Sequence, residues 1–408
     1  MKINKILFYY PSKITGGAEY LFKRCSEYLA EIQSQYEIFY ADYSDGFVRK
    51  NITTDKVHFI EVGHDKKVYV EDGTIVILQL NMIYQLYDRI IFNKEKSTCL
   101  FWNLHALNIK GAIFAKNRYW ISKYSRRKLG ESLFRLSELN VVKFMNHFGS
   151  YAFFNELLTT SHELELLPNI APIKESTRIN SFERVSENVW KFCWLGRLDV
   201  EKSRNIETYM NELEVLNKRH PLSLSLIGRG PNEDYLMSIA NKYSYPIEFV
   251  GEKREEELDT FIKGEVEIGL ASGTSAFEFA LRGKPVIMEW VIDRVYGAGE
   301  RKTYIYTHED EQLDFSPSGM PIRKKQDCFE QKAMKIMNCY QKVTESEYQF
   351  VLSKSVDNCC NKLVNTIHQI EHLDQVVVEK EVKLIERIVN KARKRIKFIY
   401  KLTHPFKR

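Results

Sequence analysis

The sequence predicts an α/β protein of two domains, each built on a doubly wound parallel sheet. Three observations carry this expectation. Short β-rich runs alternate with helical stretches, and the alternation occurs twice along the 408 residues. Most of the β-rich runs are near-continuous apolar segments, as strands covered on both faces are. In the second half three of them run into glycine, at Gly196, Gly228 and Gly251. A chain this long exceeds one ordinary hydrophobic core. Its 44% apolar and 28% charged residues are those of a globular protein, and with 19 Gly and 10 Pro it is neither collagen-like nor disordered.

Taken in order, the first half places strands at 5–10, 36–40, 57–62, 74–80, 98–104 and 156–160. Between the first two, Ala18, Leu21, Phe22, Cys25, Leu29 and Ile32 recur at helical spacing. The N-terminal apolar stretch is short, is closed by Pro11 and has no small-residue cleavage site, so it reads as the first strand and not as a signal peptide. Pro168-Asn169, Pro172 and a polar stretch mark a linker. The second half places strands at 191–195, 223–227, 247–250, 266–271 and 285–289, with helices over 204–218, 232–243, 254–263 and 275–282. After residue 325 the pattern is helical. The expected domains are a Rossmann-like 1–170, a linker over 171–188, a Rossmann-like 189–325, C-terminal helices over 326–376 that return toward the first domain, and a basic amphipathic tail helix over 377–408.

No apolar run reaches the ~18 residues of a spanning helix. Seven cysteines, an odd number without a CxxC spacing, argue against a disulfide framework or a zinc site and fit a reducing cytoplasm. Cys193, in the run KFCWLG, reads as a small buried hydrophobe. The net charge of +6 is unevenly spread. Residues 110–143 hold nine Lys/Arg against two Glu, and residues 391–408 hold eight and no acid, so the rest of the chain is net acidic. Two basic patches on an acidic body point to one local anionic partner rather than to general nucleic-acid binding.

Four segments could carry chemistry. Gly16 and Gly17, after the first strand and at the start of the first helix, let a ligand approach backbone N–H groups; a tight turn that needs glycine for geometry explains them as well. Arg197 and Lys202 follow the strand that ends at Gly196, at the carboxyl edge where open α/β sheets bind ligands; a solvated charged loop is the competing explanation. Gly228, Arg229, Gly230 and Pro231 make a sharp turn, suited equally to a backbone-lined pocket or to a plain turn. Gly273, Thr274, Ser275 and Ala276 join a buried strand to a helix. There Ser275 is the expected N-cap, and Glu278 either receives the vicinal hydroxyls of a ribose or serves only the helix dipole.

In this order, GGAE at 16–19, LPN at 167–169, GRLDVEKS at 196–203, IGRGP at 227–231, FVG at 249–251 and FEFALRGKPVI at 277–287 make the chain resemble retaining glycosyltransferases of the GT-B fold, in the broad family-four class. The resemblance implies two Rossmann-like domains facing a central cleft, the first for an acceptor and the second for a nucleotide-sugar donor such as a UDP- or GDP-sugar, with no other cofactor. It implies Arg197 and Lys202 on the diphosphate, Glu278 on the ribose, and backbone groups of Gly273, Thr274, Ser275 and Ala276 on the phosphates. Gly228 and Gly230 would line the donor pocket, Gly16 and Gly17 would close on donor or acceptor, and His105 would stand on the acceptor side. No metal site is implied, and no Asp-x-Asp motif is seen. The chain departs from the pattern at Leu270, where such enzymes often carry a first glutamate eight positions before the second. The GTSAFE turn replaces their acidic loop and resembles variants among enzymes of surface-polysaccharide assembly. With no nucleophilic carboxylate evident, front-face substitution with retention is expected. A nucleotide-sugar epimerase on the same fold and a non-catalytic partner subunit are the alternatives.

The tail places Ile385, Ile388, Val389, Ala392, Ile396, Ile399 and Tyr400 on one helical face and Lys and Arg on the other. This is the pattern of a helix lying on an anionic membrane surface. An amphipathic helix packed on the first domain fits it too. The expected setting is the cytoplasmic face of the membrane, with a lipid-linked glycan as acceptor; no nucleic-acid-binding motif accompanies the charge.

Overall fold

The computed structural model describes residues 2–14, 16–63, 67–93, 95–104, 113–115, 118–145, 165–173, 179, 181–271, 273–291, 302–306 and 328–403. The chain divides into two units, Met1–Ile170 with Val356–Arg408, and Ala171–Ser355.

The first unit contains β1 (Lys5–Tyr9), β2 (Glu37–Asp42), β3 (Val57–Glu61), β4 (Val68–Val70), β5 (Thr74–Gln79), β6 (Ile90–Phe92), β7 (Thr98–Asn103), β8 (Phe114–Ala115), β9 (Arg118–Tyr119) and β10 (Val142–Phe144). A parallel six-stranded sheet runs β10-β7-β5-β1-β2-β3, so the strand order reverses direction at β1 and β5. The expected apolar runs lie at its centre: β5 and β7 are buried at every position. The helices are α1 (Gly17–Ile32), α2 (Phe47–Asn51), α3 (Leu86–Arg89) and α4 (Lys123–Glu138), with a 3-10 turn at Leu80–Gln85. Helix α1 buries Leu21, Phe22, Cys25 and Leu29, as its spacing predicts, while Ile32, its last residue, is exposed. The sixth strand is β10; the expected strand at 156–160 lies outside the described residues. The sequence of β10, VKF, hides its nature because Lys143 is buried, its Nζ held by Asn140 Oδ1 at 2.7 Å and Glu165 Oε2 at 2.6 Å.

The second unit contains β11 (Trp190–Leu195), β12 (Leu222–Ile227), β13 (Ile247–Gly251), β14 (Ile268–Ala271), β15 (Val286–Val291) and β16 (Lys302–Tyr306). The order is β13-β12-β11-β14-β15-β16, parallel except for β16 against β15. Between them come α5 (Val200–Asn217), α6 (Glu233–Ala240), α7 (Glu255–Glu265) and α8 (Ser275–Ala280), followed by α9 (Phe329–Asn338) and α10 (Tyr340–Leu352). Cys193 is fully buried, as expected.

Opposite the carboxyl edge, Glu267 is fully buried just before β14. It accepts from Arg184 Nε and Ser186 N–H, both at 3.1 Å, and from Lys191 N–H at 3.2 Å. Lys284, only 4% exposed, precedes β15. Burial pushes its ammonium down to about 8, against the attraction of Glu267. The folded state therefore disfavours the charged form. The cost is full below pH 8 and is relieved as pH rises toward the ordinary lysine value of 10.5, because the unfolded chain then binds more protons. Lys284→Met is expected to raise stability at pH 7 by about 2 kcal/mol, with the gain shrinking above pH 8, in urea unfolding across pH 6–10.

The chain then returns to the first unit through α11 (Val356–Ile370) and α12 (Gln375–Thr403). The apolar stripe of α12 does not face outward: Val378, Val382, Ile385, Val389 and Ala392 are in the first unit's core, with Ile388 and Ile396 packed against it. Of the two explanations for the stripe, the intramolecular one accounts for it through Ile396. Among the described residues no helix is long and apolar enough to cross a membrane.

Candidate functional site

The candidate site in the second unit is built where its strand order reverses, between β11 and β14. The pairing Trp194↔Leu270 sets the ends of these two strands level. The segments after them leave the carboxyl edge side by side, which is where ligands bind in open α/β sheets.

After β11, Gly196 leads to Arg197, whose side chain is 69% exposed and lies with Nη2 3.3 Å from Asp199 Oδ2. Asp199 is also the N-cap of α5, accepting from Lys202 N–H at 2.9 Å. Helix α5 therefore begins four residues before the expected 204, and Lys202 sits in its first turn, half-buried, rather than in a loop. An N-cap carboxylate three residues before a satisfied N–H is the usual device for opening a helix. Asp199 is a residue that the sequence reading passed over; Asp before V-E-K at the start of an apolar period is the signal that could have found it. It both starts the helix and tethers the exposed guanidinium.

The turn after β12 rests on this segment. A Cβ at Gly228, where φ is +143°, would stand 2.0 Å from Gly196 O, and one at Gly230 would stand 2.5 Å from Leu198 O. Leu198 N–H donates to Arg229 O at 3.0 Å, and Asn232 N–H donates to Leu198 O at 2.9 Å. Close backbone packing of two loops thus requires both glycines, whatever else they do.

Only residues 272–274 join β14 to α8. Gly273 has φ +69°, with nothing within 4 Å of where a Cβ would point. Glycine is needed there for its conformation, not for space. The N-cap is Thr274, not Ser275, which is the first helical residue. With Gly273 left-handed, Thr274 is already in the αR region, so the helix opens without a side-chain cap. Ala276 N–H donates to Gly273 O at 3.2 Å and Phe277 N–H to Thr274 O at 3.1 Å, which commits both to the turn. Glu278 follows in the first turn, where Arg282 Nη1 donates to its Oε2 at 2.7 Å. Leu270 is fully buried in the second unit's core.

Arg197, Lys202, Gly228, Gly230, the 273–276 turn and Glu278 therefore share one edge of one sheet. Gly16 and Gly17 stand at the carboxyl edge of the other unit's sheet. Gly16 is the extended N-cap of α1, and a Cβ there would fall 2.7 Å from Glu19 Oε2. Glu19 is 7% exposed, with Ser12 Oγ donating to its Oε1 at 2.8 Å. The same loop is tied down by buried Asp42, which accepts from Ser12 N–H at 3.0 Å, Tyr43 N–H at 2.9 Å, Val48 N–H at 3.1 Å and Arg49 N–H at 3.2 Å. His105 lies outside the described residues. Among the described residues no group of three or more His, Cys, Asp or Glu side chains is placed to hold a metal ion.

The two basic segments of the sequence meet in the first unit. Helices α4 and α12 pack on each other, with Arg135 Nη1 2.8 Å from Glu381 Oε1 and Arg395 Nη1 donating to Trp120 O at 3.4 Å. These contacts run the helices antiparallel. They gather exposed Lys123, Arg127, Lys391, Lys394, Arg395 and Lys397, with Tyr124 71% exposed beside them.

No family model matches the sequence, and no curated protein matches it significantly. Solved structures match nearly the whole chain. A glycosyltransferase from Rickettsia africae, 13% identical, covers 92% of this chain and 100% of its own at a TM-score of 0.58. WaaB, a lipopolysaccharide outer core galactosyltransferase, is 11% identical and covers 89% of this chain and 99% of its own at 0.52. The chain has the GT-B fold. WaaG, a glycosyltransferase involved in lipopolysaccharide biosynthesis, agrees at 13% identity, 89% and 99% coverage and a TM-score of 0.50. Leu270, the position at which the sequence departs from the resemblance, belongs to the core of the second unit.

Proposed function

We propose that this chain is a retaining glycosyltransferase that moves a sugar from a nucleoside diphosphate to a glycan acceptor in the assembly of a surface polysaccharide. One observation carries the reading: Arg197, the first turn of α5 with Lys202, and Glu278 stand at the carboxyl edge of β11 and β14, where the strand order reverses. Breaking the sugar–phosphate bond builds negative charge on the departing diphosphate and positive character on the sugar. Preorganised cations that meet the departing charge stabilise the transition state more than the ground state. Arg197 offers a planar fork to phosphate oxygens and Lys202 a point charge. Glu278 is assigned to the ribose hydroxyls. With no nucleophilic carboxylate evident, the acceptor hydroxyl is assigned to attack the anomeric carbon on the face that the diphosphate leaves, its proton passing to a departing phosphate oxygen as the sugar–phosphate bond breaks, which retains the configuration. The fold shared with WaaB and WaaG, both named for lipopolysaccharide, supports the polysaccharide setting.

The test is a calorimetric screen of UDP-, GDP- and ADP-sugars against the full chain, followed by product stereochemistry with the donor that binds. Tight binding of one donor and a retained anomeric configuration are expected; inversion would overturn the front-face step. Leu270 and the short turn after β14 favour a second reading, a donor-binding-deficient partner subunit, and absence of binding to every donor would support it. An epimerase would release a free altered nucleotide sugar without acceptor.

The acceptor is proposed to be lipid-linked, reached by docking on an anionic membrane surface through the cationic face of α4 and α12. Because the apolar stripe of α12 is occupied by the core, this docking is electrostatic. Binding to vesicles rich in anionic phospholipid is expected to fall steeply as salt rises toward 0.5 M, and Lys391→Glu with Lys394→Glu abolishes it. Co-sedimentation that persists at high salt would contradict the electrostatic reading.

A further inference from the structure

We propose that Arg282 is a positioning residue that sets ribose recognition by holding Glu278; the inference rests on the nucleotide-site reading above. Arg282 follows α8, and its side chain is 9% exposed. Its Nη1 donates to Glu278 Oε2 at 2.7 Å and also to Glu278 O at 2.8 Å. On its other side, Nε lies 3.1 Å from Asp259 Oδ1 on α7, an ion pair without hydrogen-bond geometry, since this buried Nε has no hydrogen-bond partner. Asp259 is in turn 2.7 Å from Lys263 Nζ. Two carboxylates and two cations thus form a chain from α7 to α8, with the guanidinium hydrogen-bonded to Glu278 and held beside Asp259 by charge.

The Nη1 bond settles the rotamer of Glu278, whose side chain is 27% exposed. A lone glutamate in the first turn of a short helix would sample several rotamers and would pay to be ordered by each ligand. Here Oε2 is anchored, and Oε1 with the remaining lone pairs can accept from a vicinal diol, since a carboxylate has about four acceptor sites. The planar fork matters: a lysine at 282 could reach one acid but not span both. The i,i+4 spacing of Glu278 and Arg282 is visible in the sequence, whereas Asp259 joins the pair only in the folded chain.

The experiment compares, by calorimetry on the full chain, the nucleoside diphosphate that wild type binds with its 2′-deoxy and 3′-deoxy counterparts and with inorganic pyrophosphate. Wild type is expected to prefer the ribonucleotide by about tenfold, the worth of a charged hydrogen bond. Arg282→Met is expected to shrink that preference to within about twofold with pyrophosphate affinity unchanged, and Arg282→Lys to restore it in part. A merely structural role would lower all affinities together and leave the ratio intact. Asp259→Asn, which removes only the outer anchor, is the second variant if Arg282→Met does not fold, and it too should reduce the ratio. A nucleotide that binds with full ribose preference in the folded variants overturns the positioning role alone. Wild type that binds none of the nucleoside diphosphates overturns the nucleotide-site reading, and this proposal with it.

Discussion

On the proposed role of Arg197, Arg197→Ala is expected to lower kcat by about 100- to 1,000-fold, the cost of removing one preorganised group, about 2.7–4 kcal/mol, from a developing negative charge. The expected loss is chemical and not structural. The side chain is 69% exposed and its ion pair with Asp199, at 3.3 Å, is a surface contact of little worth to the fold. Unfolding free energy should stay within about 0.5 kcal/mol of wild type. Arg197→Lys keeps the charge but loses the fork, so it should recover only part of the rate. Initial rates with the donor found by the binding screen, together with a thermal melt of each variant, check both halves. An Arg197→Ala protein that turns over at the wild-type rate would remove the guanidinium from the mechanism.

Gly228→Ala is the second large effect, and it acts through the backbone. The new Cβ would meet Gly196 O at 2.0 Å, and the residue would have to hold φ at +143°. Strain in a glycine-only backbone region costs about 1–3 kcal/mol, and overpacking costs a similar amount. The expected destabilisation is about 2–6 kcal/mol in urea unfolding. To relieve the clash the β12 turn must move away from Gly196 and Leu198, which misplaces Arg197. Donor affinity should fall in the fraction that remains folded. Gly273→Ala is the useful contrast. It meets no neighbour within 4 Å, so its cost is the left-handed backbone alone, about 1 kcal/mol, and the turn should keep its place.

The two substitutions show where reading residues along the chain stops. Glycine at the end of a strand was visible, and so were two explanations for it. Only the distance from Gly228 to Gly196, a pair 32 positions apart, decides that loop packing by itself demands glycine there, and only the open space around Gly273 decides that packing does not. The same holds for charge. That residues 110–143 and 391–408 are basic is plain in composition; that α4 and α12 bring them to one face depends on Arg395 meeting Trp120 and Glu381 meeting Arg135. Lys143 and Lys284 mislead in the other direction, because a buried lysine reads as a surface residue until its neighbours are known.

Local physics was enough for the continuous apolar runs of β5 and β7 and the helical period of α1, for the strands that run into Gly196, Gly228 and Gly251, and for the order of motifs that resembles the GT-B class. These depend on neighbours within a turn or a strand, and a short window of sequence contains them. The folded chain alone decided that Arg282 stands beside Asp259 as well as Glu278, that position 270 belongs to the core, and that the stripe of α12 is covered by the first unit through Ile396. Each of these depends on a contact between segments distant in sequence. Such contacts arise from the register and crossing of elements, which no local pattern of residues specifies.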